Sequence, residues 1–411
     1  MISGIYVRAW LLAGALAASV ALTGCMEQPS PVGANLLSDS EKVVVHTLSS
    51  AVASDSVLIS YRPLSFHVST AGSSATLFGL YGTIEARPLY KIALSVDSVL
   101  LQSTLKSFPL RSAYLELKLA PYRYGDTSTS VPFGATVHEV LTNFETGVTW
   151  DSVGAATNYG PTLGTFTGSV GRWDSLLRIP LDTSLVLRLL AYQRYDSLTA
   201  HFQGIILVPQ SNVNGIISVQ PGEARLHIVM QRDSTPDTIV ATSVQSLYIA
   251  NTSETDPPDR MIVQSGVAKR MYLMWNLPKL PKLSTVNSVT LSLTMDPALS
   301  RFGKNYLNDS LGGSSQDSIA MYLATGDSSL GADRVLGVRR KGTNVFDFIM
   351  LRDFIEIWKH GAANHGMTAV QNINGLSDGV STVDRIVFYP SAYSDSMLRP
   401  QCKIVYSTIA R

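Results

Sequence analysis

Two segments of alternating apolar and polar residues stand 176 positions apart in this chain, and they restrict what it can fold into. Residues 113–119 place an apolar side chain at every second position, and residues 289–295 do the same, position for position. This alternation is typical of strands with one buried and one solvent-exposed face. At the same spacing, residues 224–230 match residues 400–406. The repeat therefore predicts two tandem copies of one β-fold.

The predicted architecture is mainly β, with two tandem β-sandwich domains of jelly-roll-like form and a short helix in each. A turn-rich segment, residues 251–259, contains two adjacent prolines and is interpreted as a loop inside the second copy. The predicted divisions are a signal peptide at 1–24, a lipidated cysteine and tether at 25–41, a first domain at 42–234 and a second domain at 235–411.

Helical periodicity occurs between the repeated strands of each half. In the second half it predicts a helix that begins at Asn344 or Asp347, ends at Gly361 and buries Phe348, Leu351, Ile355 and Trp358. In the first half, Asp182 is the predicted cap of a shorter helix over residues 185–192.

The N-terminus has the composition of an export signal. A single cation, Arg8, precedes an apolar run over residues 10–22, which is shorter than the roughly 20 residues that a bilayer span needs. The run ends in Leu22-Thr-Gly-Cys25, which resembles the lipobox of bacterial lipoproteins. The resemblance implies cleavage between Gly24 and Cys25, lipidation of Cys25 and anchoring by acyl chains. Met26 stands where an inner-membrane retention aspartate would stand, which favours the outer membrane, on either its periplasmic or its external face.

The charge balance argues against a nucleic-acid partner. Without residues 1–24 the chain has 31 basic and 31 acidic side chains, so no net positive charge attracts phosphate. With Cys25 lipidated, Cys402 has no partner for an intramolecular disulfide. Its strand-like neighbours predict a buried, unreactive thiol.

Several segments, taken in order with the lipobox, resemble the uncharacterised lipoproteins grouped as domain of unknown function 4270. These segments are Val32-Gly-Ala-Asn-Leu-Leu37, Tyr124-Gly-Asp-Thr-Ser128, Leu177-Arg-Ile-Pro-Leu-Asp182 and Phe202-Gln-Gly-Ile-Ile206. The resemblance covers most of the chain and implies a role in the cell envelope.

The two halves are also similar to carbohydrate-associated jelly-roll modules named for a DNRLRE peptide, although that peptide itself is absent. The segments that carry this similarity are Trp358-Lys-His-Gly361, Asn364-His-Gly366, Arg399-Pro400 and Glu145-Thr-Gly-Val-Thr-Trp150. The similarity implies a β-sandwich fold.

Two groups of residues are candidate ligand contacts. Arg339, Arg340 and Lys341 form a cationic cluster that could meet phosphate or uronate groups, or could simply end a solvated hairpin. Tyr122 and Tyr124 follow an alternating strand and could stack on sugar rings, or could form an interface at the end of the sheet.

No metal or cofactor site is predicted. Glu254, Asp256 and Asp259 are the one acidic cluster to consider for calcium, and a solvated turn is the favoured interpretation. His360 and His365 lack the spacing and the glutamate of a zinc-protease helix.

No nucleophile motif or pair of carboxylates identifies an enzyme. The chain is therefore expected to be a lipid-anchored, non-catalytic structural or binding component of the envelope. Its expected partner, besides the membrane, is a polysaccharide or another envelope protein. The alternative is an anchored glycan hydrolase or lyase.

Overall fold

The computed structural model describes residues 43–51, 58–65, 69–93, 109–126, 128–184, 202–232, 235–267, 269–277, 279–306, 318–326, 330–371 and 381–409. In chain order its strands are β1 (Val43–Ser49), β2 (Leu58–Ser65), β3 (Thr76–Tyr81), β4 (Ile84–Ala93), β5 (Leu110–Gly125), β6 (Ser130–Val140), β7 (Tyr159–Gly171), β8 (Leu176–Leu181), β9 (Ile205–Pro209), β10 (Gly215–Arg232), β11 (Thr235–Thr252), β12 (Met261–Gln264), β13 (Lys269–Asn276), β14 (Thr285–Thr294), β15 (Lys304–Asn305), β16 (Ser318–Ala324), β17 (Leu330–Arg339), β18 (Val345–Phe348), β19 (Met367–Gln371), β20 (Arg385–Phe388) and β21 (Gln401–Ile409). Two helices, α1 (Trp150–Val153) and α2 (Arg352–Lys359), and a 3₁₀ turn (Ala156–Asn158) complete the described elements. The predicted mainly-β, sandwich-like fold class is confirmed.

The strands form two antiparallel sheets. Sheet I has the order β11-β10-β3-β4-β9-β6-β7-β8-β5-β15, and an additional pairing of β10 with β5 closes it around its own core. Sheet II has the order β1-β21-β14-β18-β17-β16-β19-β13-β12-β20, with β2 added on β13. Each sheet encloses a separate cluster of buried apolar side chains.

The repeated segments occupy equivalent places in the two sheets. Leu115 of β5 lies opposite Leu226 of β10, and the residues 176 positions later, Leu291 and Cys402, lie opposite each other in β14 and β21. In the same way, the cross-strand pair of Ala113 with Ile228 corresponds to the pair of Val289 with Ile404. The pair of Glu116 with Arg225 corresponds to the pair of Ser292 with Gln401. The sequence repeat is therefore a repeat of strand register.

The two copies exchange their first strands. β1 and β2 come from the first half of the sequence, but they pair with β21 and β13 of sheet II. β11 opens the second half, but it pairs with β10 and β4 of sheet I. Sheet membership therefore does not follow the predicted ranges 42–234 and 235–411, because a strand pairs where its hydrogen-bonding edge and apolar face fit, whatever its place along the chain.

Helix α2 agrees in part with the helix predicted from periodicity. It covers Arg352–Lys359 and is followed by Gly361, whose φ of +101° is a conformation that favours glycine. Phe348, which was predicted to lie in the helix, is in β18 instead, where it pairs with Leu291 and is fully buried. Sheet pairing thus overrides the helical spacing, and Leu351, rather than Asn344 or Asp347, precedes the first helical residue. The helix predicted over residues 185–192 lies outside the described residues.

Leu117 and Leu293 occupy equivalent buried positions, so they test the repeat. We expect Leu117→Ala and Leu293→Ala each to lower the free energy of unfolding by about 2–5 kcal/mol, because each removes a completely buried side chain. Because each sheet contains strands of both halves, either variant should unfold in one cooperative transition. Urea denaturation combined with limited proteolysis measures this, with the exposed Val244→Ala as control. Two separated transitions, one for each half, would contradict the strand exchange.

Candidate functional site

The predicted cationic cluster lies at the hairpin between β17 and β18. Arg339 ends β17, while Arg340 and Lys341 enter the turn, where Gly342 has a φ of +74°. Arg339 donates from Nε to the Thr343 carbonyl oxygen at 2.8 Å. The solvated-hairpin interpretation of the sequence is therefore correct for the position of the cluster.

Arg340 is held in a defined orientation. Its Nε and Nη2 atoms donate to the two carboxylate oxygens of Asp347 at 3.0 and 3.1 Å. Asp347 in turn accepts a hydrogen bond from Ser292 Oγ at 2.7 Å. Two-point contact between a guanidinium and a carboxylate fixes the plane of the side chain, so Arg340 presents the edge of a positioned cation to solvent.

Beside this hairpin runs an open groove between β17 and α2. Its volume is about 930 Å³, which is within the usual range of ligand sites, about 300–1,000 Å³. Arg340 and Asp347 stand at its side. Its apolar lining includes five exposed side chains, namely Leu336, Val338, Ile349, Met350 and Ile357. Monomeric proteins rarely expose contiguous apolar surface of this kind without a use for it.

Helix α2 forms one wall of the groove because its other face is packed into the core of sheet II. Phe354 and Ile355 are buried there, while Ile357 faces outward. Glu356 accepts a hydrogen bond from the backbone N–H of Val286 at 2.7 Å and pairs with Lys359 at the same distance. Partial burial opposes ionisation of Glu356, but the bonds from Lys359 and Val286 outweigh it and lower its pKa. The helix is thereby attached to β14.

Tyr122 and Tyr124, the candidate sugar-stacking residues, are buried, so neither ring can meet a glycan. Both belong to an apolar cluster between the sheets that also contains Tyr248 and Val383. Tyr124 packs edge-to-face on Tyr81, with ring centroids 5.6 Å apart. The sugar-stacking interpretation is therefore wrong for both, and the interface alternative is correct. Tyr122 lies within, and Tyr124 directly after, a shift in the pairing of β5 with β10, and both pack with Val383 of the second half rather than with the core of sheet I.

Tyr122 joins the sheets through a buried carboxylate. Its hydroxyl donates to Asp384 Oδ1 at 2.7 Å, and the backbone N–H of Gly303 donates to the same oxygen at 2.7 Å. Burial raises the pKa of Asp384 to about 6, and these two hydrogen bonds only partly offset that effect. Burial also raises the pKa of Tyr122, and the nearby Asp384 carboxylate adds to it. This pair is sealed inside the protein and has no access to a ligand.

The acids considered for calcium are engaged by cations of the protein. Glu254 pairs with Arg385 at 2.8 Å, and Asp256 pairs with Lys269 at 2.7 Å. Asp259 pairs with Arg260 at 2.6 Å. Ligand oxygens that already neutralise buried cations are not free to coordinate calcium. Within the described ranges, no group of three or more His, Cys, Asp or Glu side chains could hold a metal ion.

The remaining single residues behave as ordinary structural groups. His360 contacts Glu356 at 3.4 Å at the end of α2, and the His365 carbonyl oxygen accepts a hydrogen bond from Tyr272. Cys402 is buried, as predicted, and burial raises the pKa of its thiol to about 12. Its thiol is therefore unreactive at neutral pH.

Sequence reasoning missed an exposed aromatic group in the first half. Trp173, in the turn between β7 and β8, is 70% exposed and packs edge-on against Tyr306, with ring centroids 5.7 Å apart. The Arg172 guanidinium lies 4.8 Å from the Tyr306 ring centroid. The sequence contained a signal for this exposed aromatic, namely a lone Trp in the turn segment Gly171-Arg-Trp-Asp174. A tryptophan in a turn seldom packs in the core.

No family model matches the chain, and no curated protein matches its sequence. Among solved structures, a protein of Parabacteroides distasonis ATCC 8503 described as secreted is 8% identical, with 84% of this chain and 99% of that chain covered and a TM-score of 0.19. The Macrobrachium rosenbergii nodavirus structure is 9% identical, with 87% and 98% covered and a TM-score of 0.15. At these TM-scores neither similarity carries an argument about this chain.

The predicted anchor, Gly24 and Cys25, lies outside the described residues. Within the residues that are described, none of the helices has the length and apolar character needed to cross a membrane.

The buried Asp384 makes stability depend on pH. Its pKa of about 6 in the folded protein exceeds the ordinary value of 3.8, so the folded state binds the proton more tightly and loses stability as pH rises from about 4 to about 6. The loss in the free energy of unfolding should reach roughly 3 kcal/mol by pH 7.

We expect Asp384→Asn to remove this pH-dependent loss. The measurement is the free energy of unfolding of the variant and of the unmodified protein, each at pH 4 and at pH 7. Asp259→Asn, at an exposed carboxylate, is the control. Equal pH dependence in both variants would contradict the assignment.

Proposed function

We propose that this chain is a lipid-anchored outer-membrane lipoprotein with a non-catalytic binding role, and that the groove between β17 and α2 is its binding surface. The lipobox residues and Met26 support the anchor and its membrane. The exposed apolar groove supports the binding role, and it is the observation that carries the proposal.

The lining of the groove favours a protein partner. Aliphatic side chains such as Val338 and Met350, which are 56% and 72% exposed, gain free energy by burying apolar surface. Sugars are more commonly bound by flat aromatic faces, and the groove offers Phe354 alone, which is buried. The charged side chains of the lining are balanced, with three arginines and three aspartates, so they favour neither sign of charge on the partner. The expected ligand is an extended segment of another envelope protein with apolar side chains.

Polysaccharide binding is a second candidate, and the exposure of Trp173 favours it. An indole face that is open to solvent can pack against the C–H surface of a sugar ring, while the neighbouring Arg172 and Asp174 supply polar groups at the same turn. One exposed aromatic side chain buries little apolar surface, so affinity for an isolated sugar would be weak.

A catalytic role has less support. Asp384, whose raised pKa would suit a general acid, is sealed between the sheets with Tyr122. A substrate could not reach it without separating the two halves. The anchored glycan hydrolase or lyase therefore stands as the alternative to be tested through its products.

The groove proposal is tested with short synthetic peptides in which apolar and polar residues alternate, and in parallel with purified envelope polysaccharides. We expect micromolar retention of peptides by the unmodified protein and at least about tenfold weaker retention by Val338→Asp and Met350→Asp, because a charge replaces an exposed apolar contact. Val244→Asp changes a valine of intermediate exposure between Val338 and Met350, outside the groove, and should retain peptides normally.

The outcomes separate the candidates. If the unmodified protein retains polysaccharide but no peptide, and Trp173→Ala loses that retention, then the binding site is the turn that carries Trp173 and not the groove. Release of shortened sugars would favour the enzyme. Peptide retention that is unchanged in both groove variants would contradict the groove proposal.

The anchor has its own test. Cys25→Ala removes the thiol that receives the lipid, so we expect an unprocessed chain that no longer fractionates with the outer membrane. Cys402→Ala is the matched control, since this buried cysteine is not expected to affect processing. Normal maturation and membrane retention of Cys25→Ala would contradict the lipoprotein assignment.

A further inference from the structure

Strand β1 lies at the end of sheet II and pairs, among the described strands, with β21 alone. Only Leu48 of this strand is buried, and His46 stacks on Tyr406 with ring centroids 5.0 Å apart. Val43 and Val45 are 65% and 63% exposed. The first residues of the strand therefore project beyond the core, with an edge that no other described strand covers.

The pseudo-repeat supplies an internal comparison for this edge. In sheet I the equivalent place belongs to the start of β11, where Pro236 lies opposite Gln231 of β10. In sheet II, Val45 lies opposite Ser407 of β21, and Ser407 is the residue 176 positions after Gln231. Pro236 and Val45 are therefore structural equivalents, as are Asp237 and His46.

The two equivalent edges differ in how they are protected against further pairing. Proteins commonly block exposed edge strands with proline and charged side chains. β11 begins Thr235-Pro-Asp237, which supplies both, whereas β1 reads Val43-Val-Val-His-Thr-Leu-Ser49, with no proline and no acidic or basic side chain other than one histidine. Within the part of the chain that the structure describes, the same edge is blocked in one copy and open in the other.

We propose that the open edge of β1 pairs with β1 of a second copy of this chain, antiparallel about a twofold axis near Val45. The backbone N–H of Ser50 donates to the carbonyl oxygen of Cys402, so Ser50 directs its backbone groups toward β21. Successive residues of a strand direct their N–H and C=O groups to opposite sides. Val43, Val45 and Thr47 therefore direct their N–H and C=O groups away from β21. Pairing about Val45 places Val43 of each copy opposite Thr47 of the other, and no like charges meet.

The choice of a second copy rests on the anchoring proposed above. Val43 follows the lipidated Cys25 by 18 positions, so copies in one membrane present β1 within a shallow layer above it. Confinement of this kind raises the effective concentration of the strands and lets a short interface associate. Twofold pairing of identical surfaces is also the commonest form of homo-oligomer.

The test uses two differently tagged full-length copies expressed together and extracted in mild detergent. We expect co-purification of the unmodified copies and at least about tenfold loss with Val45→Pro, which reproduces the block that Pro236 provides in sheet I. Val45→Lys in both copies should also abolish co-purification. Val45→Lys in one copy and Val45→Glu in the other should restore it, because only self-pairing brings position 45 of the two copies together. Val244→Lys, at an exposed valine elsewhere in β11, is the control and should co-purify normally.

Each further outcome counts for or against the pairing. Thermal unfolding within a few degrees of the unmodified protein confirms that the variants fold. Co-purification that survives Val45→Pro, or a Lys/Glu mixture that fails to associate, overturns the proposal. A different result would assign the edge of β1 to the lipid surface instead. In that case the unlipidated chain binds phosphatidylethanolamine vesicles, and Val45→Lys abolishes this binding without changing co-purification. Groove variants that lose peptide retention but still co-purify would leave the pairing intact, so the two proposals can fail separately.

Discussion

Antiparallel backbone pairing between an internal strand and the last strand of each copy is the constraint on which the rest of the structure depends. β5 pairs with β10 and β14 with β21 in one register. That register places alternate apolar side chains inside both sheets, and a slip of one residue would turn every one of them toward water. The exchange of β1 and β11 then makes each sheet complete only when both halves of the chain are present.

The junction between the halves combines apolar contact with buried polar groups. Tyr122 and Tyr248 from sheet I pack with Val383 from the second half, and the Tyr122–Asp384 hydrogen bond lies within this contact. Burying a carboxylate costs free energy even when it is hydrogen-bonded. A hydrogen bond of this kind has one good geometry, so it specifies how the halves meet more than it adds to stability.

The sequence allowed the repeat, the fold class and the burial of Cys402 to be predicted, because alternation reports directly on which side chains face a core. It did not allow the strand exchange to be predicted, since pairing partners far apart in sequence leave no local pattern. Phe348 shows the same limit, because its helical spacing is real but its hydrogen bonds go to β14 and β17. At the site, the position of Arg339 and Arg340 on a hairpin was predictable. The groove was not, because it is formed by residues on β17 and α2 that only the folded sheet brings together.

The pairing of β1 with β21 also sets the order in which the two sheets can be completed. β1 is synthesised before every other described strand, yet its only described neighbour, β21, is the last of them. Sheet II therefore cannot close until β21 has been made, and contacts of such large sequence separation form slowly. Sheet I, apart from the two residues of β15, consists of strands that end at Thr252. The topology thus lets sheet I form its core while β1 still waits, unpaired, for the strand that completes sheet II.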